Sequence, residues 1–200
     1  MLRALMVRSC LLAALLAIST SCSGASDRGG AASPGLETAY QPDSSSPEVA
    51  ARDTLVIVVR HAEKSTDDPE DPSLSEIGKQ RAQALAAVLA DSSVDAIYTT
   101  QLRRTRETAA PLAESLNLEV QVRPIDGGNS ATYADDLAAH IRATHEGQTV
   151  LVVGHSNTVP AIVKALSGVE VPAIDETEFT RLYVVARDRA GAARVVASRY

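Results

Sequence analysis

Leu55-Val56-Ile57-Val58-Val59-Arg60-His61-Ala62-Glu63-Lys64 is the stretch on which the fold turns. Its unbroken apolar run reads as a strand covered on both faces, as in a parallel sheet sandwiched between helices. The run stops at Arg60-His61. In an open α/β sheet, ligands bind beyond the carboxyl ends of central strands. A guanidinium and an imidazole there make a candidate phosphate site with a candidate nucleophile. The same pair would also suit a basic strand end facing solvent, and this stretch alone does not separate the two readings.

A second apolar run, Val150-Leu151-Val152-Val153, ends in Gly154-His155-Ser156-Asn157. Between the two runs lie shorter strands at Val94–Tyr98 and Leu118–Val122. Helices alternate with them. Ser73-Leu74-Ser75-Glu76 has capping-box spacing and opens a helix with an expected apolar face of Ile77, Ala84, Leu85, Val88 and Leu89. Another helix follows Thr99 to Arg104, and Pro111 is expected to kink it or to start a second segment. Further helices are expected at Tyr133–Thr144 and Thr158–Leu166. Arg181–Arg187 and Ala193–Ser198 read as a closing antiparallel pair. The alternation predicts an α/β fold, a three-layer α/β/α sandwich with a mostly parallel sheet and an antiparallel edge.

The N-terminal quarter reads differently. Arg3 and Arg8 precede an apolar stretch from Leu11 to Ile18 that is short for a membrane span. Residues 1–22 are expected to be an export signal. Ser19-Thr20-Ser21-Cys22 resembles a lipoprotein cleavage box, with Cys22 as the lipidated residue and the membrane as a partner. Cleavage after Ala25 is the competing reading. Residues 23–52, rich in Ser, Gly, Pro and Ala, read as a tether with a reach of roughly 30 Å. The folded domain is expected over 53–200, held at the cell envelope on the periplasmic side or the cell surface.

Composition narrows the chemistry. The chain has 200 residues and a net charge of -6. With no Trp and an acidic balance, a nucleic-acid-binding surface is not expected. Both cysteines, Cys10 and Cys22, lie in the expected signal, so the domain has no thiol nucleophile and no Cys-based metal site. His140 and His145 are five apart, a spacing that does not share one helix face. The acidic run Asp67 to Asp71 reads as a solvated surface.

Parallel strands place their carboxyl ends on one sheet edge, so His61 and His155 can meet there. The helix after the Val94 strand adds Arg104. Two guanidiniums and two imidazoles suit a phosphoryl group, because guanidinium presents a fork that matches phosphate oxygens. The same cations would spread the charge of the transition state.

The ordered motifs resemble the histidine phosphatase superfamily, the phosphoglycerate-mutase-like proteins, in its first branch. Arg60-His61-Ala62-Glu63 matches a strand end that is Arg-His-Gly-Glu in that family. Leu74-Ser75-Glu76-Ile77-Gly78-Lys79-Gln80-Arg81-Ala82, Thr100-Gln101-Leu102-Arg103-Arg104-Thr105-Arg106-Glu107-Thr108 and Gly154-His155 follow in family order. The resemblance implies that His61 is phosphorylated, that Arg60, Arg104 and His155 hold the phosphoryl group, and that neither metal nor other cofactor takes part. Ala62 for Gly is the departure, with a slightly altered approach to His61 expected. The proton donor is a carboxylate in the family. Asp126 is the first candidate, with Asp67, Asp68 and Asp135 behind it. Glu63 would either contact substrate or order the loop.

The expected activity is metal-independent hydrolysis of a small phosphomonoester through phospho-His61. The alternatives are a phosphohistidine protein phosphatase and a non-catalytic, surface-tethered phosphate-binding module. If His155 contacts the phosphoryl group as a donor, activity should fall as pH rises past the imidazole range.

Overall fold

A computed structural model describes residues 52–200. The expected signal segment, Cys22 and the tether through residue 51 lie outside the described residues. The order of elements is β1 (Thr54–Arg60), α1 (Glu76–Leu89), β2 (Val94–Thr99), α2 (Arg103–Leu116), β3 (Val120–Val122), α3 (Tyr133–Thr144), β4 (Thr149–Gly154), α4 (Thr158–Ser167), β5 (Arg181–Arg187) and β6 (Ala193–Arg199). The strands form one sheet in the order β3-β2-β4-β1-β5-β6. β3, β2, β4 and β1 are mutually parallel, whereas β5 and β6 run antiparallel along one side. This is the expected α/β sandwich.

The apolar run of β1 explains the layering. Alternate residues of a strand face opposite sides. Val56 and Val58 join a core with Tyr98, Val152, Leu137, Ile141, Ile162 and Leu166, on the face covered by α3 and α4. Ile57 and Val59 join the other core with Ile97, Val153, Leu85, Leu89 and Leu112, under α1 and α2. Both faces of β1 and β4 are buried, so their sequences carry no polar alternation.

Helix α1 departs from expectation in two ways. Its N-cap is Ser75, whose side chain accepts from the Gly78 amide at 3.1 Å. The expected Ser73–Glu76 box does not form, because Ser73 Oγ donates to Asp67 at 2.7 Å instead. The helix is also rolled. Leu85 and Leu89 are buried with Gly78, Ala82 and Ala86, while Ile77 and Val88 are 63% and 57% exposed. Ala84 faces solvent too. Small residues face inward because the helix start presses on the loop after His61. A Cβ on Gly78 would stand 2.2 Å from the Glu63 carbonyl oxygen.

Helix α2 runs through Pro111 as one element of 14 residues, not as two segments. Proline here removes one intrahelical donor, and packing of Thr108, Ala109, Leu112 and Ala113 holds the helix. β3 starts at Val120 rather than Leu118, since Asn117 turns left-handed at φ 52° and the Leu118 amide donates to Ala113 O at 2.9 Å. The acidic loop is not merely solvated. Asp71 accepts from the Arg103 amide at 2.8 Å, an anion on the first turn of α2.

His140 and His145 do meet, although their spacing argued against it. His145 lies just past the end of α3, with φ −128°. Both Nε2 atoms contact the buried Tyr98 hydroxyl, at 2.9 Å and 2.7 Å. Arg123 Nη2 also donates toward His140 at 2.6 Å. Among the described residues, no group of three or more His, Cys, Asp or Glu side chains is arranged to hold a metal ion.

Candidate active site

Strand register builds the site. Arg60 on β1 pairs with Gly154 on β4, and the His61 amide donates to Gly154 O at 2.9 Å. His61 and His155 therefore leave the sheet side by side. Their ring centroids are 5.4 Å apart in an edge-to-face arrangement. Both residues are buried. His155 is anchored through its amide, which donates to Thr158 Oγ1 at 2.8 Å in the first turn of α4.

The tautomers follow from their partners. His61 Nδ1 lies 2.7 Å from the Ala62 carbonyl, an acceptor only. Nδ1 therefore carries the proton and Nε2 keeps its lone pair. Burial is the first cause that lowers the His61 pKa to about 3, and His155, Arg104 and Arg60 add to it against the Ala62 hydrogen bond. Burial, then Arg104, Arg60 and Lys64, lower His155 to about 4. Both imidazoles are neutral at neutral pH. His155 Nε2 sits 3.1 Å from the Thr100 hydroxyl, which also faces Thr105 Oγ1 at 3.0 Å.

The two arginines differ in setting. Arg60 is 2% exposed. Its Nη1 donates to the carbonyls of Asp175 at 2.8 Å and Glu178 at 3.1 Å, and its Nη2 pairs with Glu176 at 2.8 Å. The guanidinium also lies 4.2 Å from the Phe179 ring centroid, a cation–π contact. Its Nε is buried without a partner, as is the Nε of Arg104. Orphaned buried donors are costly, and the charges of both guanidiniums act on both imidazoles, so the cluster suits an anionic ligand. Arg103 is turned away, toward Asp67 at 3.6 Å and Glu107 at 3.5 Å.

The two remaining sequence candidates do not join this cluster. Glu63 is held by Arg81, whose Nε and Nη2 donate to its carboxylate at 2.5–2.9 Å. It orders the loop onto α1 instead of facing a substrate. Asp126 is exposed, and its Oδ1 accepts from the Gly128 and Asn129 amides at 2.7 Å and 3.1 Å. That oxygen caps its own turn. Gln101 pins the same loop through both backbone atoms of Ile125, at 2.8 Å and 3.0 Å. Ala62 does not narrow the approach to His61. Its methyl packs in a small cluster with Leu74 and Ala82, and its amide donates to Thr108 Oγ1 at 2.9 Å.

Sequence reasoning missed the segment from Asp175 to Phe179, which wraps Arg60. Its signal was faint: an acidic run around Phe179, the one phenylalanine in the chain. The buried Thr100, Thr105 and Thr108 behind the site were also missed.

Comparison with known proteins gives the family. Residues 56–125 match the histidine phosphatase superfamily (branch 1). Phosphoserine phosphatase 1 of Hydrogenobacter thermophilus is 31% identical, with 58% of this chain and 77% of that protein covered. The mycobacterial glucosyl-3-phosphoglycerate phosphatase superposes with a TM-score of 0.61 at 18% identity, covering 74% of this chain and 99% of that one. A tungstate complex of the protein histidine phosphatase SixA gives 0.56 at 20% identity, covering 72% and 96%. The last two share the fold. With its two histidines on paired strand ends and its match to the family, the chain belongs to the histidine phosphatase superfamily, branch 1, and is a phosphatase.

Proposed function

We propose that this protein hydrolyses phosphomonoesters through a phosphohistidine on His61. One observation carries the reading: a neutral His61 with its proton on Nδ1 stands edge-to-face with His155, within the field of two guanidiniums whose Nε–H groups lack partners. Arg60, Arg104 and His155 hold the phosphoryl oxygens. His61 Nε2 attacks phosphorus, the bond to the ester oxygen breaks, and the leaving oxygen takes a proton. Water then attacks the phosphohistidine and releases inorganic phosphate, restoring neutral His61. The cations around the phosphorus stabilise the charge that spreads over its oxygens.

The proton for the leaving oxygen bears on the substrate. Glu63 and Asp126 are held by other partners, and Glu63 is lowered below the ordinary carboxylate range by its Arg81 hydrogen bonds despite partial burial. A carboxylate kept protonated near neutral pH is what a general acid requires. Substrates whose leaving group departs without a proton from an enzyme carboxylate are therefore favoured, such as aryl phosphates and phosphohistidine. This supports a second reading, phosphohistidine on a protein, which the SixA likeness also brings forward. Among small substrates, phosphoserine is the first to test, because the phosphoserine phosphatase relative carries that name.

The test is hydrolysis of 4-nitrophenyl phosphate in EDTA, with acid-labile labelling of the protein. Turnover and label lost together in His61→Ala support the mechanism. A label that persists in that variant refutes it. We also infer export with lipid on Cys22, on the arginines, apolar stretch and small residues before that cysteine. Mass analysis of the mature N-terminus tests this, and a product beginning at Ser26 would favour the competing cleavage.

A further inference from the structure

One carboxylate at the candidate site has no part in the chemistry above. Glu176 lies on the segment between α4 and β5. Its Oε2 accepts from Arg60 Nη2 at 2.8 Å, and its Oε1 accepts from Ser156 Oγ at 2.6 Å. Arg60 immediately precedes His61, and Ser156 immediately follows His155. Glu176 therefore bridges the two strand ends that carry the imidazoles. Its side chain is 77% exposed, against 2% for Arg60, so this charge sits on the solvent side of the buried guanidinium, at the rim of the candidate site.

The other acids of the segment are committed elsewhere. Asp175 accepts from the amide and hydroxyl of Thr177. Glu178 pairs with Arg181 and Arg199, each at 2.8 Å. The Ser156 hydrogen bond and the charge of Arg60 hold Glu176 below the ordinary carboxylate range. It stays ionised, so it offers charge and not a proton. Lys64 is the nearby cation of the rim, and it is exposed and the last of the influences on both Glu176 and His155.

We propose that Glu176 selects the leaving group: it favours phosphomonoesters whose alcohol carries an ammonium near the ester and disfavours those carrying a carboxylate there. This rests on the reading that Arg60, Arg104 and His155 hold the phosphoryl group. With that group on Arg60, the first carbons of the alcohol lie at the rim beside Glu176. Two unit charges about 6 Å apart in a half-exposed setting shift binding about tenfold in either direction. Glu176 also competes with every phosphoryl group for Arg60, but that competition weakens all ligands alike. Selection is read in the ratio.

The test uses three short ligands as competitive inhibitors of 4-nitrophenyl phosphate hydrolysis: O-phosphoethanolamine, ethyl phosphate and phosphoglycolate. Competition needs no turnover of the alkyl esters. The ratio of phosphoglycolate to phosphoethanolamine inhibition constants should fall at least tenfold between the wild type and Glu176→Gln, with ethyl phosphate between them in the wild type. The change should shrink as salt is raised. If Glu176→Gln does not turn over the aryl ester, the same ratio is read by calorimetric binding of the three ligands. Equal tightening of all three with an unchanged ratio overturns the inference and leaves the phosphatase reading standing. Wild-type protein that hydrolyses no aryl phosphate overturns both.

Discussion

Lowering the pH from 7.5 to 5 should destabilise the folded protein by about 4 kcal/mol through two imidazoles alone. The perturbation acts on His61 and His155, whose pKa values are lowered to about 3 and about 4 from an ordinary 6.5. In the unfolded chain both take a proton as pH falls through 6.5. In the folded chain neither does until far lower. The unfolded state therefore binds more protons across this window, and stability rises with pH. At pH 5 each imidazole costs about 2 kcal/mol relative to neutral pH. The carboxylates do not mask the effect. Glu63, Asp67 and Glu176 have lowered pKa values, so their stabilisation is complete above the ordinary carboxylate range and is lost below it. His140, lowered by burial and Arg123, adds a smaller contribution of the same sign. The assay is urea denaturation at pH 7.5, 6.5, 5.5 and 5, followed by circular dichroism. His61→Gln and His155→Gln should each halve the slope. A wild-type stability that is flat between pH 7.5 and 5 would refute the reasoning, since the two imidazoles would then titrate alike in both states.

Other outcomes follow from the same geometry. Arg104→Ala should lower kcat/KM for an aryl phosphate by about a hundredfold, the loss of one charged donor, while Arg103→Ala stays within a few-fold; equal losses in steady-state assays would reverse the register of α2. The depressed pKa of His155 revises the expected pH dependence. A neutral His155 donates through its ring N–H, so kcat/KM should be flat from pH 6 to pH 9 and fall only in acid, and a decline centred on pH 6.5–7 would show that the donor is the imidazolium. Gly78→Ala should cost about 1–3 kcal/mol despite the better helix propensity of alanine, because the new methyl meets the Glu63 carbonyl; an unchanged urea midpoint would show that α1 can shift freely.

Much of the fold was legible because β1 and β4 are buried on both faces and write that fact as unbroken Val, Leu and Ile. The paired histidines were legible for the same reason, since parallel strands of one sheet end on one edge. The roll of α1 was not. Hydrophobic periodicity ranks Ile77 and Val88 above Ala82 and Ala86, but close approach to the loop after His61 admits only small side chains. The partners of Arg60 were hidden for another reason. Two of them are backbone carbonyls, which every residue carries and no pattern marks. Asp126 looked like a donor because it precedes two glycines, and those glycines serve a turn that its Oδ1 caps on an exposed loop.

The grip of the Asp175–Glu178 segment on Arg60 ties the timing of activity to the synthesis of that segment. The atoms that orient this guanidinium come 115 and 118 residues after it. A polypeptide emerging from the ribosome already contains His61, Arg104 and His155 before that segment is made, yet its Arg60 has no such anchor. On the proposed mechanism, phosphoryl capture therefore awaits synthesis of the Asp175–Glu178 segment, and products truncated before it should be inert even where both histidines are intact.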